Sequence, residues 1–262
     1  MDLKKFEESI IKLFKKEFLD AFEDEHGFTN KTNNSISRVG YSTNLSLETI
    51  DIAIKNKIDL MITHHDAWDF IYGLRDDCIK KLKEHSISHF WIHSPLDFIE
   101  FGTCTSLMKV LEIDTIKQYS RFTNGETPGI GEFNETVDFP ILVDRMRTKL
   151  NEPVRAWKNN NKGVKKVGVL TGAGHSTNHI KFALEAGCDT YITGEATLYT
   201  IQYAQFVGIN LLVGSHTFTE IYGVESLAKR IQEFNNDIEI MELREEHVEI
   251  KSLSFKCKGN YT

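Results

Sequence analysis

The sequence predicts an α/β protein with a largely parallel sheet, and two observations lead to this class. Short apolar, β-prone runs alternate with segments whose apolar residues recur at helical spacing. This alternation is typical of βαβ units, whose strands lie parallel. Histidine and acidic residues directly follow several of the β-prone runs, and open α/β folds gather their ligands at that end of the strands.

The N-terminal part of the chain predicts one amphipathic helix followed by strand–helix units. Residues 1–24 place phenylalanine and isoleucine side chains near one helical face, and 26–37 form a polar, turn-prone stretch. Further elements follow from the same periodicities: helices at 47–56, 76–85 and 107–113, and strands at 58–63 and 88–92.

The stretch 120–137 carries three glycines and a proline and is predicted to be a linker or surface loop. We therefore expect an N-terminal half at 1–120 and a C-terminal half at 121–262. The C-terminal half predicts these elements: strands at 135–137, 167–170, 190–193 and 210–213, strand-like alternation over 238–251, and helices at 141–150, 178–186, 197–206 and 220–234.

The composition limits the partners and the compartment. A formal net charge of −7 disfavours nucleic acid and anionic membranes as partners, because both attract basic surfaces. No segment approaches the roughly 20 apolar residues that cross a bilayer. The four cysteines are scattered and form no CxxC motif, so we expect reduced thiols in a cytoplasmic protein.

Three short motifs that follow predicted strands carry side chains suited to metal binding. His64 and His65 are adjacent, Asp97 ends a His-Ser-Pro-Leu-Asp motif, and His216 and Glu220 lie one helical turn apart. Each motif alone has an ordinary alternative: surface histidines, a turn acid, or an acid that stabilises a helix start. Together, three imidazoles and two carboxylates exceed the four-coordinate shell of one zinc-type ion and suit two bridged divalent ions.

Other polar residues near the predicted strand ends are candidates for proton transfer, namely Asp66, His93 and Glu195. The loop at 172–175 is glycine-rich like a phosphate cradle, but it lacks a complete dinucleotide or P-loop motif, so a tight turn is the favoured interpretation. Trp68 and Phe70 follow the histidine pair, and we expect them to pack beneath the site rather than to wall it.

Five segments occur in an order that resembles one known family: T-H-H-D-A-W-D-F at 63–70, H-S-P-L-D at 93–97, V-G-V-L-T-G-A-G at 167–174, D-T-Y-I-T-G-E at 189–195 and G-S-H-T-F-T-E-I-Y-G-V at 214–224. The sequence resembles the Nif-three-like family, also known as GTP cyclohydrolase I type 2 homologues. The resemblance spans about residues 38 to 235. The combination of segments is specific, although each segment alone is not.

The resemblance implies two interlinked α/β halves with mixed, largely parallel sheets and a dinuclear metal site in the cleft between them. It implies two divalent ions per chain (zinc, iron or manganese) and assembly into a toroidal homohexamer. The family's ligands correspond to five positions: His64, His65, Asp97, His216 and Glu220. The sequence departs from the family at Asp66, where proline is common, at 98–104, where a glycine-rich turn is usual, and at Leu198 and Tyr199, where many members carry a histidine.

Two classes of function fit these observations. The first is a metal-dependent hydrolase that acts on a nucleotide or another small molecule, as the family's cyclohydrolase name implies. The second is a non-catalytic metal-binding or protein-interaction protein, and a phosphate-binding regulator using the loop at 172–175 is a third interpretation. An open coordination position beside an acid or base without a metal contact would favour the enzyme.

Overall fold

The computed structural model of the chain describes residues 1–32, 35–123 and 125–246. Within these ranges the helices are α1 (Leu3–Phe14), α2 (Lys16–Asp20), α3 (Leu47–Lys55), α4 (Leu74–Glu84), α5 (Ser94–Asp97), α6 (Thr103–Val110), α7 (Phe139–Leu150), α8 (Thr177–Glu185), α9 (Leu198–Val207) and α10 (His216–Phe234). The strands are β1 (His26–Asn30), β2 (Arg38–Asn44), β3 (Leu60–His65), β4 (Ser88–Ile92), β5 (Thr115–Gln118), β6 (Arg121–Phe122), β7 (Glu126–Thr127), β8 (Gly129–Val137), β9 (Arg155–Trp157), β10 (Val164–Leu170), β11 (Thr190–Thr193), β12 (Asn210–Val213) and β13 (Glu239–Glu242).

The first sheet has the strand order β1-β4-β3-β2-β13. Its last four strands run parallel, and β1 pairs antiparallel with β4. Helices α1 and α10 pack on one face, where Phe6 and Leu227 are fully buried together with Leu60 of β3. Helices α3 and α4 cover the other face around Met61. Because β3 lies in the middle of this sheet, its C-terminal end is held on both sides.

The second sheet has the strand order β5-β8-β10-β11-β12-β9. Its central strands β10, β11 and β12 run parallel, and the outer pairs are antiparallel. Helices α6 and α7 contribute to the core on one face, and α8 and α9 contribute to the core on the other. A small antiparallel pair, β6 and β7, lies apart from both sheets.

The two halves are interlinked because the chain passes from the first sheet to the second and then returns to the first. Strand β5 belongs to the second sheet, while β13 returns to the first sheet after α10. The predicted fold class is thereby confirmed: two α/β halves with mixed sheets whose central strands are parallel. The predicted division at residue 120 stays a prediction.

The N-terminal helix is shorter than predicted. Helix α1 ends at Phe14 because Lys15 adopts a left-handed backbone with φ of 62°, and α2 continues only to Asp20. The turn predicted at 26–37 is also wrong in part, since β1 occupies His26–Asn30. This strand lies at a sheet edge and is only partly buried, so its polar sequence lacks the usual strand pattern.

The predicted loop at 120–137 is wrong from Gly129 onward, where the chain forms β8, a nine-residue strand paired on both sides, and the strand predicted at 135–137 lies within it. The glycines within β8, Gly129 and Gly131, allow close packing rather than a turn. A Cβ at Gly129 would lie 2.5 Å from Met108 Cε, and one at Gly131 would lie 2.6 Å from Ile113 Cγ2. Glycines that allow close approach within a strand are indistinguishable, in one sequence, from loop glycines.

Predicted strands at 58–63, 88–92, 167–170, 190–193 and 210–213 all overlap observed strands. The last long helix begins earlier than predicted, at His216, because the Ser215 side chain accepts a hydrogen bond from the Phe218 amide and caps it. Of the strand-like tail at 238–251, β13 covers Glu239–Glu242, and 247–251 lie outside the described residues.

Cys78, Cys104 and Cys188 are free and buried, and Cys257 lies outside the described residues. In the described part of the chain, the helices are all too short or too polar to pass through a lipid bilayer.

Candidate metal centre

The histidine pair lies at the C-terminal end of β3, where every residue is buried. His64 Nδ1 lies 2.9 Å from the carbonyl oxygen of Ile92 on the neighbouring strand β4. On the other side, His65 Nδ1 lies 2.7 Å from Asn44 Oδ1 on β2. An imidazole that donates from Nδ1 keeps the lone pair of Nε2 available for a metal. The sheet therefore fixes both rings with Nε2 directed at the space beyond the strand.

Glu220 lies at the centre of this space, on the first turns of α10. Its carboxylate is buried, with the residue only 3% exposed. One oxygen, Oε1, lies 3.7 Å from His64 Nε2 and 3.4 Å from His216 Nε2. The other, Oε2, lies 3.4 Å from His65 Nε2. Three imidazoles from two distant segments of the chain thus surround one carboxylate.

Asp97 completes the cluster from α5. Its Oδ1 lies 3.3 Å from His64 Nε2 and accepts a hydrogen bond of 2.8 Å from the Thr103 hydroxyl. Two sets of ligand atoms result, each lying within 4.8 Å of one another: His64, Asp97 and Glu220 in one, and His65, His216 and Glu220 in the other. All five predicted metal ligands are therefore brought together, and Glu220 is common to both sets.

The cluster contains polar atoms that hydrogen bonding within the described chain leaves unsatisfied. His64 Nε2 and Glu220 Oε2 are both buried and have no hydrogen-bond partner there. Buried polar atoms without partners are costly, so native proteins rarely keep them without a reason. Imidazole and carboxylate are ligands that borderline divalent ions accept. The donor set fits a divalent metal ion.

Gly172 leaves the space that the carboxylate of Glu220 occupies. A Cβ at this position would lie 1.9 Å from Glu220 Oε1, and the backbone φ of 59° is left-handed. The Gly172 amide donates to Thr219 Oγ1, and the Gly174 carbonyl accepts from the Tyr191 hydroxyl. These internal bonds support the interpretation of this loop as a tight turn that holds the base of the site.

The acids control the charge of His64. Burial alone would lower the pKa of His64, but the Asp97 and Glu220 carboxylates outweigh it and raise the pKa to about 9. Burial and the neighbouring imidazoles instead hold the pKa of His65 well below its ordinary value. Carboxylates that stabilise a proton on His64 also attract a metal cation to the same nitrogen.

Glu195 lies behind His216 and also contacts a second histidine. Its Oε1 lies 2.6 Å from His216 Nδ1, and its Oε2 lies 3.1 Å from His175 Nδ1. Burial lowers the pKa of His216, yet Glu220 and Glu195 together raise it to about 9. The predicted proton-transfer candidate Glu195 is therefore placed where it orients the ring of His216.

His93 joins the cluster from the end of β4. Its ring centroid lies 5.0 Å from that of His64 and 5.3 Å from that of His65, and the three form a further candidate ligand group. His93 Nδ1 lies 2.6 Å from Glu25 Oε2, which also accepts from the Ser94 hydroxyl. Sequence reasoning missed Glu25 and also Asn44, because neither belongs to a motif around the ligands.

Asp66 is not brought into the cluster. Its Oδ1 accepts from the Thr29 hydroxyl at 2.7 Å and from the Ala67 amide at 2.9 Å. Its Oδ2 pairs with Arg75 Nε at 3.2 Å. These contacts fasten the segment that follows β3 to β1 and α4.

A cleft of about 580 Å³ opens beside the cluster, and its lining comprises Glu25, Asn44, His65, Trp68, Phe70, His93, His216 and Thr217. The expectation that Trp68 and Phe70 pack beneath the site is wrong, because both face this cleft. Phe70 is 72% exposed, and only part of Trp68 is buried. The segment after β3 turns outward, so its aromatic residues cannot reach the core.

Comparison with known proteins places this chain in a family. The GTP cyclohydrolase 1 type 2 homolog of Haemophilus influenzae is 28% identical over 216 residues, which cover 79% of this chain and 85% of that protein. The solved structure of ybgI, a structural-genomics protein of unknown function, superposes with a TM-score of 0.80 at 23% identity, covering 92% of this chain and 97% of that one. TTHA1606 from Thermus thermophilus superposes with a TM-score of 0.79 at 18% identity, covering 94% and 99%, so both structures are similar in fold.

The family model described as Duf34/NIF3 (NGG1p interacting factor 3) matches residues 1–248. That range includes every residue of the cluster. The chain belongs to the Duf34/NIF3 family.

Proposed function

We propose that the chain binds two divalent metal ions and uses them to hydrolyse a nucleotide or another small molecule. The observation that carries the proposal is the position of Glu220, which both ligand groups share. His64 and Asp97 complete one group, and His65 and His216 complete the other. A buried carboxylate placed between two groups suits a bridging ligand, and the donor types suit zinc, iron or manganese.

When bound, two such ions supply an activated water and polarise the bond that is to be broken. The chain's own residues hold the ligands in place for that chemistry. Ile92 and Asn44 orient the rings of His64 and His65, and Glu195 orients the ring of His216. Partners of this kind fix the ring orientation and the tautomer of a metal-binding histidine.

We assign proton transfer to His93. Its ring faces the cleft beside the cluster, and Glu25 holds it through Nδ1. A histidine held in this way can exchange a proton at Nε2 with a bound substrate. Asp66 is left out of the proposed set because both of its oxygens are engaged by Thr29, Ala67 and Arg75.

The open cleft supports this proposal over a protein that only binds metal. A closed ligand shell would serve storage or structure, whereas a catalytic site keeps access for water and substrate. Here His65, His93 and His216 all line a cleft that reaches the surface.

The first test is the metal content of the protein purified without a polyhistidine tag. Elemental analysis should find about two ions per chain, as a two-metal site requires. A protein that stays metal-free after incubation with zinc, iron or manganese would contradict the proposal. The metal-loaded protein should then be assayed with nucleotides and phosphoesters, using Glu220→Gln as the comparison. Hydrolysis that survives this substitution would place the chemistry elsewhere.

We also propose that the chain assembles into a toroidal homohexamer, as the family resemblance implies. Support comes from α9, on which Leu198, Tyr199 and Phe206 are exposed. Exposed apolar patches commonly mark association surfaces. Light scattering should give roughly six times the chain mass of 30.1 kDa, and a monomer would contradict this assembly. The expected cytoplasmic location stays a prediction.

A further inference from the structure

We propose that Trp68 and Phe70 form an aromatic wall that selects ligands with a planar ring of about the size of a nucleobase. This inference rests on the proposed function and deepens it, because it names the part of the substrate that lies beside the metal ligands.

The two rings of the wall are nearly parallel and remain accessible. Their planes differ by 12° and their centroids lie 6.2 Å apart. Phe70 is 72% exposed, although phenylalanine is normally buried, and both residues line the cleft. Aromatic faces presented to a cleft are suited to stacking on a planar ligand.

Ring contacts of Trp68 with its neighbours hold the wall in place. Its ring meets Trp91 edge to face, with centroids 5.5 Å apart and planes at 80°. It also meets His93 at 5.6 Å and 70°. The ion pair of Asp66 with Arg75 fastens the segment that carries the wall. A wall that is already ordered loses little conformational freedom when a ligand binds.

The wall lies directly beside the metal ligands. The centroid of Trp68 is 6.1 Å from that of His65 and 5.6 Å from that of His93. A ring stacked on Trp68 would therefore lie close to the proposed metal ligand His65 and to His93.

The charge of the cleft agrees with that orientation. Among the described residues that line it there is no lysine or arginine, while Glu25 contributes a carboxylate. Polyphosphate chains are commonly held by arginine and lysine side chains. The side chains of the lining thus offer aromatic contact to a planar ring and no basic side chain to a polyphosphate chain.

The test is direct binding rather than turnover. Titration calorimetry would compare the binding of adenosine and guanosine with that of ribose 5-phosphate, which has a sugar and a phosphate but no nucleobase. Phe70→Ala should weaken nucleoside binding about tenfold or more, because base–aromatic stacking is lost. Phe70→Trp should retain nucleoside binding, and the binding of ribose 5-phosphate should not change in either variant. Tyr72→Ala is the matched control, since Tyr72 is 96% exposed on the same segment and does not line the cleft.

Three outcomes would overturn the inference: no nucleoside binding by the unmodified protein, equal binding by Phe70→Ala, or an equal loss in Tyr72→Ala. Elemental analysis of the same samples separates this failure from failure of the proposed function. About two ions per chain without nucleoside binding would reject the aromatic wall and leave the two-metal site standing. If the protein holds no metal but binds nucleosides in a way that depends on Phe70, the two-metal site is rejected and the aromatic wall stands.

Discussion

Two completely buried histidines on neighbouring strands have opposite electrostatic environments. His64 on β3 and His89 on β4 are each 0% exposed. The carboxylates of Asp97 and Glu220 raise the pKa of His64 to about 9. Burial lowers the pKa of His89 to about 4, and its Nε2 lies 2.8 Å from the hydroxyl of Thr63.

The difference shows that burial alone does not make a cation site. His89 illustrates the ordinary case, in which a buried imidazole is kept neutral and is held by one hydroxyl. The cluster around His64 instead gathers the carboxylates of Asp97 and Glu220 beside buried imidazoles, and removing such charged groups from water costs free energy. Natural sequences accept such conflicts mainly at functional sites.

The largest expected effect comes from removing the negative charge of Glu220 beside His64. Glu220→Gln should remove both ions, because Glu220 belongs to both ligand groups and the amide loses the negative charge. Elemental analysis after dialysis should fall from about two ions per chain to almost none. Glu233→Gln, on the exposed face of the same helix α10, is the matched control and should keep its metal. Retention of one ion by Glu220→Gln would show that this carboxylate does not bridge.

Gly172→Ala should also damage the site, without changing any ligand. The added Cβ would lie 1.9 Å from Glu220 Oε1, so the carboxylate must move. Gly187→Ala is the control, since its φ of 82° is equally left-handed but nothing lies within 4 Å of the new Cβ. Both variants should lose about 1 kcal/mol of stability through backbone strain. Only Gly172→Ala should lose bound metal, and elemental analysis would measure the loss. If both variants lose the same amount of metal, backbone strain rather than the displaced carboxylate is the cause.

The low pKa of His89 should make the stability of the protein depend on pH. The pKa of His89 falls from 6.5 to about 4 on folding, so the unfolded chain binds more protons between these values. The free energy of unfolding should therefore fall as pH drops from 6.5 to 4, by about 3 kcal/mol from this residue alone. Urea unfolding at several pH values would measure it, and His89→Gln should have a shallower pH dependence. Parallel curves for the two proteins would contradict this assignment.

The smallest expected effect comes from Glu195, which contacts the proposed metal ligand His216. Glu195→Gln should weaken metal binding by about 10- to 100-fold, because the amide orients His216 less firmly and removes a charge. The loss should affect the ion held by His65 and His216 and spare the other. Competition with a chelator would measure both affinities, and Glu185→Gln on the exposed surface is the control. An unchanged affinity would mean that Glu195 does not support the ligand.

The convergence of the candidate ligands could be predicted from sequence because their positions obey a simple rule. In a parallel sheet the carboxyl ends of the strands meet at one edge, so residues that follow separate strands converge. His64 lies at the C-terminal end of β3, His93 and His216 follow strands, and Asp97 and Glu220 each lie four residues after a histidine. Helical spacing then brings each acid back to the same region.

The residues that support the ligands follow no such rule. Glu25 comes from a short turn before β1, and only the antiparallel pairing of β1 with β4 brings it to His93. Asn44 depends on the register between β2 and β3. Such contacts depend on tertiary pairing, which neither periodicity nor composition specifies.

The return of β13 to the first sheet has a consequence for synthesis of the chain. Strand β13 pairs with β2, although about two hundred residues separate them. Helix α10, which carries Glu220, immediately precedes that strand. The ribosome therefore releases the shared carboxylate and β13 only after β2 and the histidine pair have been made, and until then β2 waits with an unpaired edge. Over that interval the nascent chain carries the histidines without the acid that both groups share, so the candidate site is completed only once α10 has folded against the first sheet.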